Sequence, residues 1–213
     1  MISLRASGTD SDVAGTASTF VGIPRPAGIR DGDLLIAGIA LPLAGLVVTP
    51  PDLSWTEIEQ TDPSQTIGLA VYWKTAINEP PNWVFRLSAA CQSAAGVVAY
   101  SGADGYEPVE AISAKLSSSG TAHAVGAITA SEASEEYLLL FAAKNGVTYT
   151  AVPGDFQQIL TSPKALNSTF EAWRKQPDKA QAFPAFNATC SLATTGASMA
   201  IILRRGVGRL SVD

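Results

Sequence analysis

Few side chains in this sequence could do chemistry, and they are scattered. There is one histidine, His123, in Thr121-Ala122-His123-Ala124. An imidazole metal site or a Ser-His-Asp relay needs that ring beside placed partners. His123 has no cysteine next to it and no Gly-x-Ser-x-Gly elbow, so it is expected as a solvent-exposed or loop residue. A glycosidase needs two carboxylates about 5–10 Å apart across a cleft. The candidates are Glu57 with Glu59, which share a strand face, Glu107 with Glu110, and Glu135 with Glu136. Solvated rims account for all three pairs, so no catalytic residue is assigned.

Asp10-Ser11-Asp12 and Asp31-Gly32-Asp33 offer oxygen ligands of the kind calcium takes, but neither follows the helix-loop pattern, and Asp-Gly is also a turn signal. No metal or cofactor is expected. Cys91 and Cys190 are too few for a disulfide framework and are read as small buried hydrophobes. Flat aromatic faces can stack on sugar rings, which brings in Trp55, Tyr72, Trp73, Trp83 and Trp173. Trp73 and Trp173 are expected as core anchors. Tyr72, on the other face of its strand, and Trp83, after Pro80-Pro81, are expected to be exposed and are the candidate glycan-stacking residues. Arg204, Arg205 and Arg209 make a locally basic C-terminus.

The bulk composition narrows the classes further. The chain carries 14 basic and 19 acidic side chains, a net charge of −5, with 46% hydrophobic and 15% charged residues. That excludes a disordered chain and shows no basic surface for nucleic acid. Met1 to Gly8 lacks the basic-then-apolar build of a secretion signal. The longest apolar run, Leu34 to Val48, contains Gly38, Pro42 and Gly45 and falls short of the roughly 20 residues a spanning helix needs. Neither a membrane nor a nucleic-acid partner is expected.

Short apolar segments rich in Val, Ile, Tyr, Trp and Thr recur between Gly, Pro, Asn and Asp clusters, which predicts an all-β, antiparallel protein. Strands are expected at Thr19 to Ile23, Asp33 to Leu41, Trp55 to Gln60, Gly68 to Thr75, Trp83 to Ser88 and Ala95 to Tyr100. In the second half they are expected at Ala124 to Ile128, Tyr137 to Lys144, Phe156 to Thr161, Ser168 to Arg174, Ala185 to Ser191 and Ser198 to Arg204. The continuous runs Leu34-Leu35-Ile36 and Leu138-Leu139-Leu140-Phe141 suit central strands covered on both sides.

The second half reads as a diverged copy of the first. Ile36 aligns with Leu140 at a separation of 104, Trp55 with Phe156 at 101, Trp73 with Trp173 at 100 and Cys91 with Cys190 at 99. Half-repeats of roughly 20–104 and 124–205 are expected, with the turn-rich stretch Gly102 to Thr121 between them as a candidate linker. Such a pair folds either as two small sandwiches or as one jelly-roll-like β-sandwich over residues 1–213. The single body is preferred, because Val97-Val98 and Ile201-Ile202-Leu203 would suit the centre of a shared sheet.

Several segments resemble, in their order and spacing, a family of β-sandwich proteins of bacteriophage virions. They are Gly28-Ile29-Arg30-Asp31-Gly32-Asp33-Leu34-Leu35-Ile36-Ala37, Pro50-Pro51-Asp52-Leu53-Ser54-Trp55-Thr56-Glu57-Ile58, Val71-Tyr72-Trp73-Lys74 with Glu79-Pro80, and Val98-Ala99-Tyr100-Ser101-Gly102-Ala103-Asp104. Pro51-Asp52-Leu53-Ser54 departs from the Pro-Pro-Gly-Trp form associated with that family. The resemblance implies a jelly-roll-like, non-enzymatic virion structural protein, either capsid decoration (cement) or tail-associated. Its implied partners are a major capsid protein or a tail component, as a homo-oligomer located in the virion. The alternative is a carbohydrate-binding receptor-adhesion module that takes a cell-surface glycan on Tyr72 and Trp83.

Overall fold

The computed structural model describes residues 1–10, 16–61, 67–152, 155–164 and 168–206. It is all-β and antiparallel, as expected. The first half contributes β1 (Ser3–Thr9), β2 (Ser18–Pro24), β3 (Leu34–Leu41), β4 (Val48–Thr49), β5 (Thr56–Gln60), β6 (Gly68–Thr75), β7 (Asn82–Cys91) and β8 (Ala95–Ser101). The second contributes β9 (Val109–Val125), β10 (Ile128–Ala130), β11 (Glu136–Lys144), β12 (Tyr149–Ala151), β13 (Gln157–Lys164), β14 (Ser168–Lys175), β15 (Gln181–Phe183) and β16 (Phe186–Leu203).

One sheet runs β1-β8-β3-β6-β5 and another β9-β16-β11-β14-β13, with β12 also on β16. The two orders correspond strand for strand. Outside the first sheet lies β2-β7-β4, and outside the second lies β10-β15. This layering explains the unbroken apolar runs. Every residue of β3 is buried, as is β11 from Glu136 to Ala143, because each strand has a packed layer on both faces.

Period-2 alternation sorts the side chains into three layers. Leu34, Ile36, Leu69, Val71 and Val98 of the first sheet meet Leu138, Leu140, Phe170, Met199 and Ile201 of the second in a central layer. Their strand neighbours turn the other way. Leu35, Ala70, Tyr72 and Val97 pack on Val21, Trp83 and Phe85, while Leu139, Phe141 and Ile202 pack on Val125, Tyr149 and Phe183. Val97-Val98 and Ile201-Ile202 therefore lie in two facing sheets, with Val98 and Ile201 meeting in the central layer; the expected common sheet does not form.

Glycine lets the two central sheets approach closely. A Cβ on Gly38 would sit 2.3 Å from the ring of Phe170, and one on Gly96 would sit 2.7 Å from Leu160. Side chains of the second sheet thus seat in notches of the first.

Three sequence expectations change. The candidate linker is a loop only as far as Pro108; from Val109 it is the long strand β9, whose Ser, Ala and Thr content marks an edge with little apolar bulk. The two strands expected at Ala185 to Ser191 and Ser198 to Arg204 are one continuous β16 that breaks register between Thr189 and Thr194. Trp73 and Trp173 are not equivalent anchors. Both are half-buried, Trp73 against the central layer and Trp173 against the outer core of the second half. A one-residue slip between the halves moves a side chain to the opposite face.

The Gly38 and Phe170 contact is open to a double-mutant test. Phe170→Ala should cost about 3–5 kcal/mol in urea unfolding, and Gly38→Ala about 1–3 kcal/mol through overpacking. In the Phe170→Ala background Gly38→Ala should cost at least about 0.5 kcal/mol less than it does alone, which is the coupling expected of residues in contact.

Candidate functional site

The expected glycan platform is absent from the surface. Trp83 is 1% exposed and Tyr72 2% exposed, against an expectation that both face solvent. Trp83 lies on the inward set of β7, where its indole packs edge-on to Trp55 at 5.9 Å. Its Nε1 donates to Glu79 Oε2 at 2.7 Å, and Lys74 Nζ pairs with Glu79 Oε1 at 2.8 Å. Lys74 also lies 5.6 Å from the centre of the Trp55 ring. The Tyr72 hydroxyl donates to Val48 O at 3.2 Å or Glu57 Oε2 at 3.0 Å. Burial, then the bond to Glu57, pushes its pKa well above the usual tyrosine range. Tyr72 and Trp83 each keep an apolar body in the core and satisfy the one polar atom there.

His123 is fully buried, which overturns the loop expectation. Its Nδ1 lies 2.6 Å from the Tyr149 hydroxyl and its Nε2 3.0 Å from Thr194 O. Only a donor can meet a carbonyl, so Nε2 carries a proton toward Thr194 O, while Nδ1 is hydrogen-bonded to the Tyr149 hydroxyl. The ring lies over Gly196, where a Cβ would fall 2.2 Å from Nδ1. Cys190 Sγ is 3.8 Å from Nε2, but burial raises the thiol's pKa, the opposite of an activated nucleophile. Cys91 is likewise buried and raised, and both cysteines are free. They belong to different outer cores, separated by the two central sheets.

The calcium candidates are turn latches. Asp33 takes Arg5 Nε at 2.9 Å and the Arg30 amide at 2.8 Å, and Asp31 accepts the Asn78 amide. Asp10 accepts from Ser162 Oγ at 2.8 Å; Ser11 and Asp12 lie outside the described residues, as does Arg209. Among the described residues no group of three His, Cys, Asp or Glu side chains could hold a metal.

The carboxylates regroup. Glu57 is tied to Tyr72, Glu107 pairs with Arg204 at 3.1 Å, and Glu136 is fully buried against Arg174 in a two-pronged pair. One member of each remaining pair, Glu110 and Glu135, meets the other in a cleft of about 360 Å³, which Asp104, Ser131, Glu132, Arg204 and Arg205 also line. Topology brings these two together. Val109 and Glu136 both pair with Leu203, from opposite sides of β16, so Glu110 and Glu135 fall at the same end of the sheet although 25 residues apart in sequence.

Burial, and then the hydrogen bond to Glu110, lifts the Glu135 pKa from 4.5 to about 7. Burial also works against the charged form of Glu110, but the bond from Glu135 and those from Ser131 hold its pKa below the ordinary value. The opposite directions of the two shifts assign the proton to Glu135 and the charge to Glu110. This pair is the one perturbed acid in an open cleft among the described residues, and the candidate site of the molecule.

The sign of its pH effect follows from linkage. A folded-state pKa above the unfolded value means that the native state holds a proton which the unfolded chain has released. Stability therefore falls as pH rises through the window from about 4.5 to about 7, then levels. Glu135→Gln keeps a neutral donor and removes that loss. The melting temperature of the parent should fall between pH 5 and pH 8 by about 2 °C or more relative to the variant. Glu136 and Glu171, whose pKa values burial also raises, cancel from the difference. Parallel melting curves across that range would refute that assignment of the proton.

Set against known proteins, the chain matches no family model, no curated protein and no solved structure.

Proposed function

We propose that the protein is a non-enzymatic structural component of a bacteriophage particle, seated on the capsid surface or on a tail component. The observation that carries this reading is the strand path. In the first half β1-β8-β3-β6 faces β2-β7-β4, an order that supports a jelly-roll reading, with β5 on the edge of the first sheet. The second half repeats it, with β9 and β16 each long enough to serve in both layers. The matching orders also support descent of the two halves from one duplicated unit.

Jelly rolls recur in viral capsid proteins, lectins and cupins. A lectin reading loses its platform with the burial of Tyr72 and Trp83. A cupin-like metal centre finds no free imidazole among the described residues, since both nitrogens of His123 are engaged in the core. The surface favours docking: Leu43, Val47, Leu53, Ile77 and Tyr106 are exposed on connecting segments, while Lys74, Glu79 and Glu136 are held inside. An exterior of this kind binds by burying area.

The test is the protein content of particles purified from a host strain that produces the chain. Mass spectrometry should find the protein in a fixed ratio to the major capsid or tail-tube protein after density-gradient banding. Its absence from banded particles, with the protein present in the lysate, would overturn the proposal.

A further inference from the structure

The two central sheets have four long edges, and three of them carry features that discourage pairing with another chain. β1 shifts register between Leu4 and Ala6 and is tied across to β13, through Ser7 Oγ on Ile159 O and Ser162 Oγ on Asp10, both at 2.8 Å. β13 shifts between Gln158 and Leu160 and contains Pro163. β5 shifts between Glu57 and Glu59 and presents those two acids. Bulges, prolines and charges are the usual protections of a sheet edge.

β9 lacks them over its central run. From Ala111 to Ser117 it pairs with β16 without a shift, has no proline and carries one charge, Lys115. Among the described residues nothing pairs with its other side. The end of the sandwich where it lies is also open: a groove of about 350 Å³ is lined by Glu59 and Thr61 beside Ala114, Lys115 and Leu116. Ile112 and Leu116, on the same strand face as Ala114, are 38% and 37% exposed.

We propose that β9 is a two-fold self-association edge, on which β9 of a second copy adds antiparallel about Ala114 and continues the sheet across both molecules. This names the contact surface of the oligomer in the function proposed above, and it holds for the purified protein whether or not a particle is its destination. The register follows from parity, since directly opposed residues of an antiparallel pair share a face. With Ala114 on the axis, Ile112 lies opposite Leu116 of the second copy, Ser113 opposite Lys115, and Glu110 opposite Ser118. The half-exposed apolar side chains cover one another, and no like charges meet. That complementarity favours a second copy over an unrelated strand.

Sedimentation of the purified chain at concentrations up to roughly 100 µM, which reaches micromolar dissociation constants, should show a dimer. Ala114→Cys should crosslink across the axis under mild oxidation while Ser113→Cys does not, the native Cys91 and Cys190 being buried. Ile112→Lys with Leu116→Lys should weaken the dimer by about tenfold or more through lost apolar pairing and added like charge. A parent that stays monomeric overturns the proposal. So does a dimer that ignores the double lysine variant, or one that crosslinks through Ser113→Cys and not Ala114→Cys. Should the lysine variant fail to fold, the cysteine pair still decides, because both changes are small.

Discussion

The fold depends on the contact between two sheets that are apolar on both faces. Neither central sheet could stand in water, since β3 and β11 have no solvent side. Each is covered outside by its own half and inside by the other half. The inner layer is fitted as well as greasy: Phe170 occupies the notch at Gly38, and Leu160 the notch at Gly96. Packing of this kind constrains both partners, because a methyl group on either glycine would overlap the Phe170 ring or the Leu160 methyls unless those side chains shift. The two halves can therefore vary in their loops but not at these positions.

Buried charge follows from that layering. Lys74 with Glu79 sits in the outer core of the first half, and Arg174 with Glu136 beside Tyr100 in the central layer. A buried ion pair is a weak source of net stability, because desolvation offsets most of the attraction, yet removing one partner leaves an uncompensated charge. Such pairs act as register pins. Glu79 shows how: it receives Lys74, the Trp83 indole and the Ile77 amide, which fixes the β6 to β7 connection around a single carboxylate.

Much of this architecture was legible in the sequence, and the misses have physical causes. Unbroken apolar runs at Leu34 and Leu138 located the central strands because a strand covered twice has no polar face to display. Gly68 to Thr75 was delimited to the residue by its alternation and its flanking turns. β1 gives no strand signal and most of β9 reads as a linker, because small and polar residues on an edge strand carry no periodic signal. The candidate site was half legible. Glu107, Glu110, Glu135 and Glu136 stood out as paired acids, but their pairing by proximity in sequence was misleading, since β16 runs between the strands that bring Glu110 to Glu135. His123, Tyr72 and Trp83 were misplaced for a common reason. Each has one or two polar atoms, and whether such a residue is buried depends on a distant acceptor, Thr194 O, Val48 O or Glu79, that no local pattern reveals.

The two ends of the central layer show how a near-symmetric body acquires a direction. Corresponding strands occupy corresponding places, so β1 over β13 at one end answers to β9 over β5 at the other. At the first end serines bridge the sheets, Ser7 to Ile159 and Ser162 to Asp10, and the layer closes. At the second, the β9 face turned to β5 carries Ala114 and Leu116, neither of which can donate such a bridge, and the layer opens into a groove. A hydroxyl at an edge commits it to a partner within the chain, whereas an alkyl group leaves it free for surface outside the chain. The polarity of the molecule thus arises from a few side chains that lie along otherwise matching strands.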